Sequence, residues 1–305
     1  MEPGEERMGA CVLCPRECRA DRARGQNGYC GVTNVLKVAR AALHYWEEPC
    51  ISGESGSGTV FFSGCPLHCV YCQNREIADG TAGKEITIQR LADIFLELQE
   101  KGAANINLVT PGHYVPQILA ALTAAKEKGL ILPVVYNTGS YEKPEVIRML
   151  SESVDIWLPD LKYKEASLAQ RYSGAPDYFE RACAAIAEMV RIAGSPVFGP
   201  DGMMKRGVIV RHLVLPGAVK DSREIIKYLY DTYKDTIYIS IMNQYTPVMK
   251  EEDGKRYPEL MRKLTKKEYD EAVDYAIELG VENGFIQEGH TAQESFIPPF
   301  DGEGV

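Results

Sequence analysis

From Thr59 onward, short apolar runs alternate with segments whose apolar residues recur three and four positions apart. The apolar runs predict strands at 59–64 (TVFFSG), 105–110 (NINLVT), 132–138 (LPVVYNT), 154–160 (VDIWLPD), 207–217 (GVIVRHLVLPG) and 236–242 (TIYISIM), with a short one at 284–287. The helical spacing falls between them, at 86–102, 115–129, 143–152, 165–193, 222–235 and 265–280. Thr87 reads as an N-cap, Gly102 as a stop, and Pro144 as a first-turn proline. Six or seven βα units in series predict an α/β protein with a parallel sheet and helices outside it. No G-x-G-x-x-G follows the first strand, which weakens a dinucleotide-binding sheet and favours a complete or partial (β/α) barrel. In such barrels chemistry gathers at the C-terminal ends of the strands.

Residues 1–55 lack this periodicity and end in a loop-like ISGESGSG at 51–58. They predict a cysteine-rich module at 1–55, followed by a barrel with a C-terminal closing segment at 56–305. The composition is that of a globular protein, with 45% hydrophobic and 25% charged residues. Lys plus Arg is 34 against 43 Asp plus Glu, a net charge of −9, which disfavours a nucleic-acid partner. No apolar run approaches the roughly 20 residues of a membrane span, and the opening MEPGEERMGA has no apolar signal core. A cytoplasmic protein with no membrane partner is expected. The unusual figure is nine cysteines, seven of them in two groups within the first 72 residues. In a reducing compartment such groups bind metal or do catalysis.

The first strand of the series runs into GCPLHCVYCQN, placing Cys65, Cys69 and Cys72 at C-x3-C-x2-C spacing. Three thiolates on one loop can hold three corners of a cubane iron–sulfur cluster and leave one iron open to an outside ligand. The alternative is a structural zinc knuckle with His68 as fourth ligand. With Tyr71 just before the last cysteine, the motif resembles the radical S-adenosylmethionine (SAM) superfamily. The segment from about 57 to 300 further resembles an uncharacterised branch related to pyruvate formate-lyase activating enzymes. Its marks are VTPGHYVPQI (109–118), VVYNTGSY (134–141), LPDLKY (158–163), RHLVLPG (211–217), NQYTP (243–247) and ESFIPPFDGEGV (294–305).

This resemblance implies a partial (β/α)6-type TIM-like barrel in which Cys65, Cys69 and Cys72 hold a [4Fe–4S] cluster that binds and cleaves SAM. It implies cofactor contacts from Tyr71, Thr110, Asn137, Thr138, Asp160, Lys162 and Arg211. Lys162 or Arg211 would neutralise the cofactor carboxylate. The family's Gly-Gly-Glu, which receives the cofactor's amino group, is replaced here by Thr110, Pro111, Gly112 and His113. Its strand-six His gives way to Asn243, Gln244 or Tyr245.

The first cysteine group, Cys11, Cys14, Cys18 and Cys30, has the spacing C-x2-C-x3-C-x11-C. Four thiolates can close a second site, either a second [4Fe–4S] cluster or zinc. Arg16, Arg19, Arg22 and Arg24 around it read as a solvated basic patch or a docking face for an acidic electron donor. Cys50 and Cys183 lack partners at motif spacing, and His44 reads as packing. His113 is a candidate substrate contact, one of Arg211 and His212 faces the helices, and Glu288 and His290 lie in a lid-like loop. Tyr114, Tyr136 and Tyr141 would line the barrel mouth.

The sequence therefore predicts an anaerobic radical SAM enzyme served by an electron donor such as flavodoxin or ferredoxin. Its substrate would be a protein that acquires a glycyl radical, or a small molecule or peptide. The rival reading is a non-catalytic zinc-binding scaffold on a degenerate barrel.

Overall fold

The computed structural model describes residues 10–249, 251–287 and 298–305. The central strands are β1 (Leu36–His44), β2 (Ser57–Phe62), β3 (Lys84–Ile86), β4 (Ile106–Val109), β5 (Val134–Thr138), β6 (Ile156–Pro159), β7 (Val197–Phe198), β8 (Met204–Leu213), β9 (Tyr238–Met242) and β10 (Gly284–Ile286). They join in the order β3-β1-β2-β4-β5-β6-β8-β9-β10, with β7 folded back on β8. From β2 to β10 every pairing along this path is parallel. β4, β5 and β6 are buried at every position, as strands covered on both faces must be. Because sheet order follows chain order from β2 to β10, this part of the sheet winds one way, as a barrel wall does and a doubly wound sheet does not.

The connecting helices are α1 (Ile88–Glu100), α2 (Val115–Glu127), α3 (Pro144–Met149), α4 (Ala166–Ser173), α5 (Tyr178–Ala193), α6 (Val219–Tyr233) and α7 (Lys266–Leu279). α1 packs on α2, α3 on α5, and α6 on α7. Thr87 caps α1 by accepting from the Arg90 N–H. Thr265 and Glu268 form a reciprocal capping box on α7. The helical material expected over 165–193 forms two helices, divided where Gly174 takes φ +57° and ends α4. Among the described residues no helix is long and apolar enough to cross a membrane.

Two differences from the sequence reading matter for the site. LKVARAALH lies in the segment read as aperiodic, yet it forms β1, antiparallel to β2. A register shift between Val38 and Arg40 breaks the two-residue alternation that would have announced it. The C-terminal FDGEGV then adds to the other face of this strand's backbone, with the Ala41 N–H donating to Glu303 O and the Gly302 N–H to Ala39 O. Gly304 is needed there, since a Cβ would meet the Ala41 carbonyl oxygen at 2.0 Å. The segment 288–297, with Glu288, His290 and the start of the ESFIPPFDGEGV motif, lies outside the described residues.

Candidate active site

β2 delivers the second cysteine group to the C-terminal edge of the parallel strands. Gly64 (φ +92°) turns the chain, and a Cβ there would meet the Cys30 carbonyl at 2.7 Å. Leu67 is buried and anchors the loop. Cys69 Sγ lies 3.0 Å from the Ser173 hydroxyl, which touches Tyr163 and through it Tyr71. The ring of His68 bonds the Tyr29 carbonyl at 2.8 Å, away from a role as a fourth ligand. Burial, with adjacent thiols, pushes Cys65 up to about 11 and Cys72 up to about 12. As thiols these groups are poor ligands. The three sulfurs on one loop could hold an iron centre, whose positive charge would displace their protons.

One cavity of about 460 Å³ is lined by Cys65, Cys69 and Cys72, and also by Tyr71, Thr110, Asn137, Thr138, Asp160, Lys162 and Arg211. Its size suits a cofactor with room beside it. Thr110, just past β4, holds φ +57° while its N–H donates to the Asn137 carbonyl at 2.8 Å, a strained non-glycine turn at the cavity wall. Asp160 takes Lys162 Nζ at 2.6 Å and Arg211 Nε at 3.0 Å. Burial opposes its ionisation, but these two cations prevail and hold its carboxyl below the usual range. Arg211 also donates to Glu47 Oε2 (3.1 Å) and Asn137 Oδ1 (2.6 Å). All three of its nitrogens therefore have acceptors, and the freer donor is Lys162, whose ammonium has one carboxylate oxygen as partner and lies near the Cys69 and Cys72 sulfurs.

Three further carboxylates line the cavity and carried no motif signal. Glu142, 4% exposed, accepts from the Thr138 hydroxyl (2.8 Å) and the Tyr136 hydroxyl (3.2 Å) on Oε1, while its Oε2 has no partner among the described residues. Burial raises its carboxyl to about 7 against the pull of those two hydrogen bonds. A Cβ on Gly112 would lie 2.3 Å from Glu142 Oε1, so glycine in the TPGH turn is what lets this carboxylate approach. Glu47 accepts from Asn107 and Arg211. Glu48, 8% exposed, is bonded by the Ser240 hydroxyl, and its Oε2 has no partner among the described residues. Burial raises both carboxyls. The only sequence hint was the doublet in ALHYWEEP, and Glu142 stands one residue past VVYNTGSY.

Other candidates are redistributed. His113 is buried with its Nε2 on the Ser63 carbonyl (2.8 Å), and burial lowers its ring to about 3, so the expected substrate contact lies behind the wall. His212 turns to Leu161 O and Ser222 Oγ. Tyr114 and Tyr136 are fully buried, which leaves Tyr141 of the expected trio on the cavity. Gln244, not Asn243 or Tyr245, lines it from the end of β9, and His44 lines it from β1. Cys50 and Cys183 pack into apolar surroundings.

The N-terminal module clasps the cysteine loop. The Cys65 N–H donates to the Cys30 carbonyl at 3.1 Å. Arg16 donates to the carbonyls of Pro66 (2.8 Å), Ser173 (2.8 Å) and Gly174 (2.5 Å). Arg22 is fully buried, donating to the carbonyls of Thr33 (2.6 Å) and His113 (2.7 Å), with Nη1 3.8 Å from Cys11 Sγ. The expected solvated basic patch is thus reduced to Arg19 and Arg24, since the other two arginines are structural clamps. Cys18 and Cys30 sulfurs flank Gly28, and Cys11 and Cys30 are buried. Among the described residues no three His, Cys, Asp or Glu side chains converge closely enough for a single metal ion.

A model of the family described as the radical SAM superfamily matches residues 59–229, more than half of the chain. The uncharacterised protein MJ0674 of Methanocaldococcus jannaschii is 28% identical over 273 residues, covering 87% of this chain and 74% of that protein. A radical SAM methyltransferase from Sphaerobacter thermophilus superposes with a TM-score of 0.51 at 13% identity, over 77% of this chain and 67% of that one. SuiB of Streptococcus suis, solved bound to S-adenosylmethionine, superposes with a TM-score of 0.50 at 14% identity, over 74% of this chain. The aligned part is 49% of SuiB, so the chain spans about half the length of that structure.

Proposed function

The chain belongs to the radical SAM superfamily, and from that premise we propose that Cys65, Cys69 and Cys72 hold a [4Fe–4S] cluster at which SAM is cleaved. Membership makes the protein an enzyme of this class, with an iron–sulfur cluster, SAM and a source of electrons. When bound, the reduced cluster supplies the electron that splits SAM into methionine and a 5′-deoxyadenosyl radical. The observation that carries the reading is the gathering of the three cysteines and the seven other nominated residues around one cavity.

Each side chain then has a task set by its surroundings. The Lys162 ammonium faces the cofactor carboxylate, because Arg211 is already engaged by Asp160, Glu47 and Asn137. Arg211 thereby positions Asp160, which in turn orients Lys162. The bare Glu142 Oε2 takes the cofactor ammonium, the task that Gly-Gly-Glu performs in the resembled family. The carboxylate reaches the same turn from the next loop. Thr110, Asn137 and Thr138 supply neutral donors and acceptors along the strand ends, and Tyr71 backs the cysteine loop within an aromatic cluster.

The substrate is either a protein receiving a glycyl radical, as for the activating enzymes, or a small molecule or peptide, in a cytoplasmic, anaerobic setting. Flavodoxin or ferredoxin is the proposed electron donor. Residues 1–55 and 56–305 remain the proposed functional division, although β1 joins the barrel sheet. Cys11, Cys14, Cys18 and Cys30 hold a second centre, for which we favour [4Fe–4S] over zinc. In a zinc site at about 2.3 Å per bond the sulfurs would crowd around one ion, whereas in a cubane each thiolate binds its own iron. Arg22, buried beside Cys11 and with no carboxylate partner among the described residues, suits the negative charge of a thiolate-ligated centre.

Anaerobic reconstitution tests this reading. Wild type is expected to bind iron and sulfide with cluster absorption, and to bind SAM by equilibrium dialysis. Cys65→Ala, Cys69→Ala or Cys72→Ala should each remove about four irons, as for one cubane. Unchanged iron content in all three variants would refute the assignment.

A further inference from the structure

We propose that the part of the cavity bounded by Glu48 recognises a cationic group of the substrate, a primary ammonium or a guanidinium carried on an apolar body. The proposal rests on the reading of this cavity as the SAM site and names what shares it.

Among the described residues four carboxylates line the cavity, Glu47, Glu48, Glu142 and Asp160, against two fixed cations, Lys162 and Arg211. Asp160 is matched by both cations, and Glu47 by Arg211 and Asn107. Two carboxylates remain, each more than nine-tenths buried and each with one oxygen lacking a partner among the described residues, Glu142 and Glu48. Their surroundings are separate. Glu142 belongs to the loop after β5, against Gly112, Thr138 and Tyr136. Glu48 belongs to the turn after β1, beside Ser240 of β9. SAM carries one ammonium, and Glu142 accounts for it. Glu48 has the Ser240 hydroxyl as a partner and the Arg211 charge nearby, but its buried Oε2 still lacks a donor. The SAM sulfonium has no N–H to offer it, so this oxygen calls for a donor cation of the substrate. The cavity lining also carries Trp46, next in chain to Glu47, and Phe285, paired with Ser240 across β10 and β9, rings that accept an apolar stem and favour a cation near their faces.

The test uses reconstituted holoprotein saturated with SAM and kept without reductant, so that no chemistry occurs. Benzylamine and its neutral counterpart benzyl alcohol are titrated calorimetrically. A charge-assisted bond to a buried carboxylate predicts tenfold or tighter binding of the amine. In Glu48→Gln the preference should collapse to about onefold, while SAM affinity stays within twofold of wild type. Equal binding of amine and alcohol by the wild-type protein overturns the proposal and needs no variant. A preference that survives in Glu48→Gln also overturns it. A blocked pentapeptide with one lysine separates the sources of the cation. Tighter binding than benzylamine identifies a peptide side chain, and weaker binding a free amine. SAM binding is measured on the same preparations, and SAM cleavage on aliquots of them reduced with dithionite. Loss of both with the amine preference intact counts against the SAM reading and not against the cation site.

Discussion

Glu142 shows how a single atom without a partner directs the reading of a site. Its carboxyl is held near 7 because burial outweighs the hydrogen bonds from Thr138 and Tyr136. A folded-state value above the ordinary 4.5 means that the folded protein binds a proton the unfolded chain has released. The associated stability is present below about 4.5 and is lost as pH rises through about 7. Thermal unfolding of SAM-free holoprotein should therefore show Glu142→Gln gaining on wild type between pH 5.5 and 8. The gain should be about 2 kcal/mol across this window. Parallel curves would show that Glu142 is solvated or already paired. The same substitution should weaken SAM binding at pH 8 at least tenfold, the effect of losing a charged hydrogen bond. An unchanged dissociation constant would remove Glu142 from the cofactor site. No spacing rule in the sequence could reveal this residue. Its meaning comes from Gly112, thirty positions earlier, whose missing Cβ admits the carboxylate.

Among the elements, the parallel strands were the most legible, because strands buried on both faces are continuous apolar runs and their helices carry a 3.6-residue stripe. β1 was hidden by its bulge and by the alanines of LKVARAALH, and with it went the turn that carries Glu47 and Glu48. The charge pattern around the first cysteines misled for a related reason. Arginines in a polar segment look solvated until backbone carbonyls from distant elements gather around them, as they do for Arg16 and Arg22. Arg16 ties the module to the cysteine loop and to the end of α4. Arg16→Ala should cost about 1–3 kcal/mol and speed proteolysis of the first 35 residues, followed by limited digestion and mass spectrometry. Arg19→Ala, at an exposed position, should behave as wild type. Equal protease resistance of all three proteins would show that the clasp contributes nothing to docking.

At the scale of the whole molecule, the nine cysteines sort by place. Three line the cavity, four lie in the clasping module, and Cys50 and Cys183 are packed. The two groups abut through the Cys65 N–H to Cys30 carbonyl bond, a short route for an electron if both hold clusters. Metal analysis of the Cys11→Ala/Cys14→Ala double variant separates the two chemistries. Loss of about four irons, with the absorption of the remaining cluster intact, is expected for a second cubane. Loss of a single zinc would assign the module a structural ion.

The reading stands or falls on SAM cleavage. Wild-type holoprotein, reduced anaerobically with dithionite and given SAM, should form 5′-deoxyadenosine and methionine in equal amounts, and Cys69→Ala should form neither. Equal 5′-deoxyadenosine from the two proteins, or none from wild type carrying a full complement of iron, would contradict it.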